Sequence, residues 1–200
     1  MLVRRVGTGA LLLEVDDPAA WFAELWRRRA AGELVATELV PAARTLLLDG
    51  VPDPVTVARR LAGWAPREGA AAVEGTLVEI PVEYDGADLA SVAGFWGTDV
   101  SGVIERLGGT EFRVAFLGFA PGFPYLVGLP AELAVPRLAT PRTRVPAGSV
   151  GLAGEYAGIY PTASPGGWQL VGRTGVRLFD VDSDPPALLS PGTRVRFVCP

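Results

Sequence analysis

Hydrophobic and polar positions follow two patterns in the first third of the chain. Short apolar runs, ALLL at 10–13 and TLLL at 45–48, are separated by stretches in which apolar residues recur every three or four positions. The runs predict one buried strand within 3–15 and a second within 34–48, and the recurrences predict amphipathic helices. Asp17 and Asp53 each precede a proline before a helical stretch, which is typical of an N-cap followed by proline at the first helical position. A third strand over 76–84 completes the order β-α-β-α-β of a small α/β layer.

The second part of the chain has a different pattern of apolar residues and turns. Two short helical patterns come first, one over 88–95 and one capped by Thr98. Short apolar runs then alternate with Gly/Pro turns, at 113–119, 150–153, 168–172, 176–179 and 193–198. Segments this short predict the strands of a closed or nearly closed β-barrel. The predicted fold class is α+β, with a small α/β domain over 1–75, a β-barrel domain over 76–200, and a linker around 65–75.

Composition excludes several kinds of chemistry for this chain acting alone. Apolar residues are 49% and charged residues 20%, which favours a folded core over disorder. The chain has no His and no Lys, and Cys199 is its single cysteine. Ser-His-Asp catalysis, Schiff-base chemistry, a P-loop, biotin attachment and His-ligated zinc each need a residue that is missing. We therefore expect no metal site here, and expect any imidazole or ammonium group to come from a partner chain.

Charge and hydropathy narrow the choice of partners. The formal net charge is −4, which argues against nucleic acid as the main partner. No apolar stretch approaches the roughly 18 residues of a membrane span, and the N-terminus lacks a signal-peptide pattern. We expect a soluble, cytoplasmic protein that has no membrane partner.

The first candidate functional segment is FLGFAPGFPYL at 116–126. Four aromatic residues are interleaved with two prolines and two glycines. A loop this rich in apolar rings is costly to expose, so it either packs under the barrel or forms a recognition surface. Its candidate ligand-binding residues are Phe119, Pro121, Gly122, Phe123 and Tyr125.

The second candidate segment carries three arginines. Proline precedes Arg137 and Arg142 and holds the backbone extended, and Arg144 follows two residues later. Their guanidinium groups could clamp a carboxylate or phosphate, and surface salt bridges are the alternative. A tight turn at Gly148 and Ser149 follows, whose backbone amides are candidates to bind an anion.

The third candidate segment is built around the turn SPGG at 164–167, which leaves backbone amides bare. Polar side chains before and after this turn could surround a ligand, and an ordinary β-turn with a core Trp is the alternative. The candidates are Tyr160, Ser164, Gly166, Gly167, Trp168 and Gln169, with Arg173 nearby.

These segments resemble the KipI/PxpB family of 5-oxoprolinase subunits, also called allophanate hydrolase subunit 1 or the carboxyltransferase C/D domain family. The resemblance rests on 117–126, 145–154, 158–161 and 164–168. It implies a small α/β domain followed by a cyclophilin-like β-barrel. It also implies a homologous KipA/PxpC-type partner and a third, LamB/YcsF-type subunit, PxpA. Together these form an ATP-dependent 5-oxoprolinase, with Mg expected beside the nucleotide, that opens 5-oxoproline to glutamate. This subunit is expected to be inactive alone.

The resemblance also implies two alternatives. One is a KipI-like inhibitor of a histidine kinase, and the other is half of a biotin-dependent urea carboxyltransferase. The sequence departs from the family pattern at 106–109, where a His is usual, and at Tyr156 and Ala157, where Gln-Thr is usual. These departures predict altered specificity or weakened activity.

Overall fold

A computed structural model describes residues 1–67 and 75–200. The chain divides into two compact units, Met1–Gly75 and Thr76–Pro200. The predicted linker around 65–75 lies mostly outside the described residues. Each unit has its own hydrophobic core.

The first unit is an antiparallel sheet with two helices. Its elements are β1 (Leu2–Val6), β2 (Ala10–Glu14), α1 (Pro18–Ala30), β3 (Glu38–Pro41), β4 (Thr45–Asp49) and α2 (Pro54–Leu61). The strand order is β1-β2-β4-β3. Both helices begin where the Asp-Pro pairs predict, because Asp17 accepts a hydrogen bond from the Ala20 amide at 2.9 Å and Asp53 accepts one from the Thr56 amide at 3.1 Å.

The order β-α-β-α-β needs correction in this unit. Each of the first two predicted strands is a hairpin of two strands, so the observed order is β-β-α-β-β-α. Gly7, with φ of +58°, opens the first turn, and the second turn closes with a hydrogen bond from the Ala42 amide to the Thr45 carbonyl. The third predicted strand belongs to the second unit. Apolar runs predict that a strand exists, but they do not show where it reverses or which strand it pairs with.

The second unit is a curled sheet with two helices. Its helices are α3 (Leu89–Trp96) and α4 (Val100–Gly109), with a 3₁₀ turn at Ala131–Leu133. Its strands are β5 (Leu77–Pro81), β6 (Glu111–Leu117), β7 (Pro124–Val127), β8 (Arg142–Val145), β9 (Ser149–Ala153), β10 (Tyr156–Ile159), β11 (Ser164–Gly166), β12 (Gln169–Arg173) and β13 (Arg194–Val198). The main sheet has the order β12-β9-β10-β7-β6-β13-β5, and β8 pairs with β11.

The two edges of the main sheet meet just beyond β5. Glu83 and Arg173 exchange backbone hydrogen bonds of 2.8 and 2.9 Å, which join the end of the β5 segment to β12. The α+β class and the predicted barrel are confirmed. Apolar side chains from alternate positions fill the interior, among them Val114, Leu126 and Leu152, which are buried.

Two local predictions in this unit were wrong. Within the described part of the chain, the predicted strand at 176–179 joins no sheet, and only Phe179 makes a bridge, with Ala187. Leu178 is nevertheless buried, so its apolar character serves the core without strand pairing. The cap of α4 is Asp99 rather than Thr98, because its carboxylate accepts the Gly102 amide at 2.8 Å.

Candidate functional site

An aromatic cluster packs apart from the barrel core, since Tyr125 belongs to it whereas Leu126, the next residue on β7, belongs to the core. Tyr125 lies at its centre, with its ring centroid 4.3 Å from Phe116, 5.2 Å from Phe123, 5.6 Å from Tyr156 and 5.6 Å from Trp168. The pair with Phe116 is stacked, and those with Tyr156 and Trp168 are edge-to-face. Such contacts add to the stabilisation from burial and fix the ring orientations.

Two glycines allow the cluster to lie close to the sheet. Gly151 and Gly158 are partners across β9 and β10. A Cβ atom on Gly158 would lie 2.9 Å from Cζ3 of Trp168 and 3.0 Å from the ring of Phe123. Only a residue without a side chain leaves room for both rings here. The sequence analysis did not place either glycine at the site, because the local sequence does not show which side chains pack over a glycine in a strand.

An open cavity of about 420 Å³ borders this cluster. Its lining combines three aromatic rings with a cation: Tyr125, Val135, Pro136, Arg137, Ala153, Gly154, Tyr156 and Trp168. This volume is within the usual range for small-ligand sites. Larger cavities of about 590 and 840 Å³ lie elsewhere, and neither has an aromatic ring in its lining. The combination of flat apolar walls and one guanidinium suits a small ring that carries a negative charge.

Arg137 is exposed at this cavity. Its Nε lies 3.7 Å from the place where a Cβ of Gly167 would stand, so the side chain passes close to the backbone of this turn. Within residues 1–67 and 75–200 it has no ion-pair partner. Burial raises the pKa of Tyr125 and of Tyr160, and the charge of Arg137 partly offsets the effect at both. The two phenols are therefore neutral near pH 7.

Arg142 is held differently. Its Nη2 donates to Oδ1 of Asp88 at 2.7 Å, and its Nη1 donates to the carbonyl oxygen of Trp168 at 3.4 Å. Asp88 is buried, and its other oxygen accepts the Leu170 amide at 2.7 Å. The guanidinium thus ties β8 to β12. Sequence reasoning missed Asp88, which looked like the start of a helix, and no local signal identifies a partner 54 residues away.

The remaining candidates of the second segment do not line the cavity. Arg144 lies exposed on β8. The turn at Gly148 is closed by hydrogen bonds, because the Gly148 amide donates to the Tyr160 carbonyl at 2.7 Å and its carbonyl accepts the Thr174 amide at 2.8 Å. Ser149 is buried, and its amide donates to the Pro146 carbonyl at 3.4 Å. These two amides are thus already used within the chain.

The aromatic loop of the first segment is divided between core and surface. Phe123 is buried, and its ring packs edge-on against Tyr160 and Trp168. Phe119 is 63% exposed and has a φ of +66°, which is unusual for a residue with a side chain. The Ala120 amide donates to the Gly118 carbonyl at 2.7 Å, so Phe119 stands at the centre of a three-residue turn.

The turn after Phe119 is shaped by Pro121 and Gly122. Pro121 is exposed, whereas Gly122 has a φ of +76° and is buried. A Cβ on Gly122 would lie 2.7 Å from Cβ of Phe179. Neither residue lines the cavity. They give the aromatic loop its shape.

The third segment contributes ring and backbone positions to the site. Trp168 and Tyr160 are buried within the aromatic cluster, and Gly166 leaves space for the Tyr160 hydroxyl. The Gly167 carbonyl accepts the Leu138 amide at 2.8 Å. Ser164 has a buried hydroxyl with no hydrogen-bond partner among the described residues. Of this segment's candidates, only Trp168 is in the cavity lining.

Gln169 is the only glutamine in the chain, and it is 4% exposed. Its Nε2 donates to the Pro136 carbonyl at 3.0 Å. Its Oε1 is buried and has no partner in the described part of the chain. The side chain thus supports the segment that carries Arg137.

Across residues 1–67 and 75–200, no group of three or more His, Cys, Asp or Glu side chains is placed to hold a metal ion. In the same residues, no helix is both long enough and apolar enough to cross a membrane.

Comparisons with known proteins cover nearly the whole chain. A family model described as carboxyltransferase domain, subdomain C and D, matches residues 1–189. A 5-oxoprolinase subunit of Escherichia coli O157:H7, the one designated B, is 42% identical over 204 residues, which is 96% of this chain and 93% of that protein. The subunit of the same name from Haemophilus influenzae is 49% identical over 128 residues, which is 62% of this chain and 60% of that protein.

Solved structures agree on the fold. The crystal structure of TTHA0988 matches with a TM-score of 0.77 and 37% identity, covering 100% of this chain. This chain spans 41% of the length of the TTHA0988 chain. The urea amidolyase of K. lactis matches with a TM-score of 0.72 and 22% identity over 99% of this chain and 15% of that one. At that identity the likeness extends to the fold alone.

Proposed function

Because this chain belongs to the carboxyltransferase-domain family, subdomains C and D, we propose that it is the PxpB-type subunit of an ATP-dependent 5-oxoprolinase. The complex would open the lactam of 5-oxoproline to glutamate, and this chain would be inactive alone. The observation that carries the proposal is the 42% identity, over 96% of the chain, with the 5-oxoprolinase subunit of Escherichia coli O157:H7.

The residues present support a role that depends on partners. The chain has neither His nor Lys, so it lacks the side chains that most often transfer protons near neutral pH. Its cavity offers aromatic rings, the guanidinium of Arg137, which has no ion-pair partner among the described residues, and tyrosines whose pKa is raised by burial. Such a set binds and orients a ligand better than it moves protons. We propose that a homologous KipA/PxpC-type subunit and a LamB/YcsF-type PxpA subunit supply the missing groups.

ATP and Mg²⁺ would enter at the level of the complex. The turn at Gly148 and Ser149 is not open to a phosphate group, because its two amides donate to carbonyls of this chain. The chain also has no lysine for a P-loop. The nucleotide would serve to activate the lactam carbonyl when it is bound, and we assign no step of that activation to residues of this subunit.

Biotin-dependent carboxyl transfer to urea is the second candidate. The observation that favours it is the fold shared with K. lactis urea amidolyase. Without a lysine, this chain cannot carry biotin, so the carrier would have to be a separate chain or domain.

Glutamate release from 5-oxoproline tests the proposal. We would co-purify the chain with its candidate partner subunits, verify assembly by size exclusion, and assay with and without ATP. Mixtures that each lack one of the subunits are the controls. Activity only in the full, ATP-containing mixture is expected. An assembled complex that releases no glutamate would overturn the proposal, and carboxylation of urea by the same complex with carboxybiotin would favour the second candidate.

A further inference from the structure

We propose that Arg137 binds the carboxylate of the lactam substrate, and that Gln169 is a positioning residue that holds Arg137 in place. The ring of the ligand would lie against Tyr125, Tyr156 and Trp168. The identity of the ligand rests on the proposed function, whereas the site itself rests on the geometry of the cavity.

The segment that carries Arg137, residues 135–138, is fixed at both ends. Val135 exchanges backbone hydrogen bonds of 3.1 and 2.7 Å with Gly154. The Leu138 amide donates to the Gly167 carbonyl at 2.8 Å. The backbone on both sides of Arg137 is therefore held in place by hydrogen bonds to two different strand ends. A guanidinium with a fixed base loses less freedom when it binds a ligand than one on a loose loop.

Gln169 completes this support from beneath. Its Nε2 donates a hydrogen bond of 3.0 Å to the Pro136 carbonyl oxygen, and this bond anchors the residue before Arg137. Proline has no amide hydrogen to donate, which leaves this carbonyl as the only backbone group of Pro136 that can be fixed by a hydrogen bond.

The surroundings of Gln169 are otherwise apolar. In the strand register it faces Leu152, which faces Ala157, which faces Leu126. All three are buried in the barrel core. Burying an amide among these apolar side chains has a desolvation cost in free energy, because the Gln169 Oε1 has no hydrogen-bond partner in the described part of the chain. The bond to Pro136 is what the amide gives at this position that an apolar side chain would not.

The chemistry of the cavity favours a carboxylate over a phosphate. One guanidinium forms two parallel hydrogen bonds with a carboxylate and so satisfies both of its oxygens, whereas the same two bonds leave a further oxygen of a phosphate without a donor. Arg142 is committed to Asp88, and the amides of Gly148 and Ser149 are bonded within the chain. A phosphate would need more donors than Arg137 alone supplies. The neighbouring rings then provide flat apolar walls for a small ring that carries the carboxylate.

Kinetics of the assembled complex test both residues. Arg137→Gln should raise KM for 5-oxoproline about 10- to 100-fold with little change in kcat, because a charge-assisted bond to an unreacting carboxylate is lost equally in the ground and transition states. Arg177→Gln removes the same charge from the same unit, at an exposed ion pair outside the cavity lining, and should leave KM unchanged. An unchanged KM in Arg137→Gln would overturn the carboxylate assignment.

The role of Gln169 is tested by a double variant. Gln169→Met keeps the length of the side chain, and should raise KM about 3- to 10-fold by loosening Pro136. If Gln169 acts through Arg137, the double variant has the same KM as Arg137→Gln alone. Effects that multiply would show that Gln169 acts on its own and would overturn its positioning role. Thermal unfolding of each variant identifies a loss caused by misfolding.

Direct binding separates this inference from the proposed function. Titration calorimetry measures binding of 5-oxoproline without catalysis. The ligand is titrated into the full chain and into the complex, with Arg137→Gln as the comparison. Arg137-dependent binding by an inactive wild-type complex would keep the site and overturn the function. An active complex whose KM is insensitive to Arg137 would keep the function and overturn the site. Neither binding nor activity would overturn both.

Discussion

The carboxylate of Asp88 accepts a hydrogen bond from Arg142 at 2.7 Å and lies buried between β8 and β12. Its second oxygen accepts the Leu170 amide at the same distance. One side chain thus fixes the beginning of β12, next to Trp168 and the cavity. Arg142, whose spacing suggested a ligand clamp, is engaged in this support.

Arg142→Leu should therefore destabilise the barrel unit by about 3 kcal/mol, because it leaves the buried Asp88 carboxylate without its cation. Urea unfolding measures the change, and faster hydrogen exchange at the Leu170 amide localises it. Arg177→Leu breaks an exposed ion pair with Asp180, also of 2.7 Å, and should change stability by less than about 0.5 kcal/mol. Equal effects of the two substitutions would contradict the importance of the buried pair.

Gly158→Ala should disturb the aromatic cluster. The added methyl would meet the rings of Trp168 and Phe123 at 2.9 and 3.0 Å, so both must move. We expect a loss of about 1–3 kcal/mol in unfolding free energy, together with a change in the near-ultraviolet circular dichroism of the aromatic side chains. Gly94→Ala is the control, since a Cβ there meets nothing within 4 Å and a helix gains from alanine. An undisturbed aromatic spectrum in Gly158→Ala would refute the close packing.

Glu24 should make the first unit sensitive to acid. Hydrogen bonds from Arg27, opposed by burial and aided by Arg28, lower the pKa of Glu24 below its usual 4.5. A carboxyl with a lowered pKa in the folded state stabilises the fold at pH values above its unfolded pKa, and this contribution is lost as the pH falls through the folded pKa. Glu24→Gln should thus cost about 1.5 kcal/mol at pH 7.

Denaturant unfolding at a series of pH values measures this effect. The difference between wild type and Glu24→Gln should shrink once the pH falls below about 4.5, the usual pKa of glutamate. Glu38→Gln, an exposed position on β3, is the matched control. A difference that stays constant down to about pH 2 would show that the ion pairs of Glu24 are not responsible.

Binding of 5-oxoproline to the cavity should be independent of pH between about 6 and 9. The cation in the cavity lining is a guanidinium rather than an imidazole, and the chain has no His. Burial raises the pKa of Tyr125 and Tyr156, so both phenols stay neutral into the alkaline range and repel no carboxylate until they ionise. Calorimetric titration of the isolated chain at several pH values measures this. A transition near pH 7 would place the binding site elsewhere.

Sequence patterns predicted the helices well and the strand connections poorly. The caps at Asp17 and Asp53 are local, since each carboxylate bonds an amide three residues ahead, so the sequence contains the whole interaction. The hairpins of the first unit depend on where the chain reverses, and the parallel pairing of β5 with β13 joins segments that are far apart in sequence. Periodicity marks which side chains are buried, and it does not say against which partner.

The same distinction between local pattern and long-range contact applies to the candidate site. The sequence by itself determined that aromatic rings, glycines and arginines would crowd three segments, and the absence of His and Lys determined which chemistry this chain cannot do. Only the tertiary structure decided that Arg137 borders a cavity while Arg142 is bound to Asp88, and that Gln169 faces the core rather than a ligand. Residues 54 or 33 positions apart become partners only when the fold brings β8 beside Asp88 and β12 beside Pro136, and no local pattern specifies that distance.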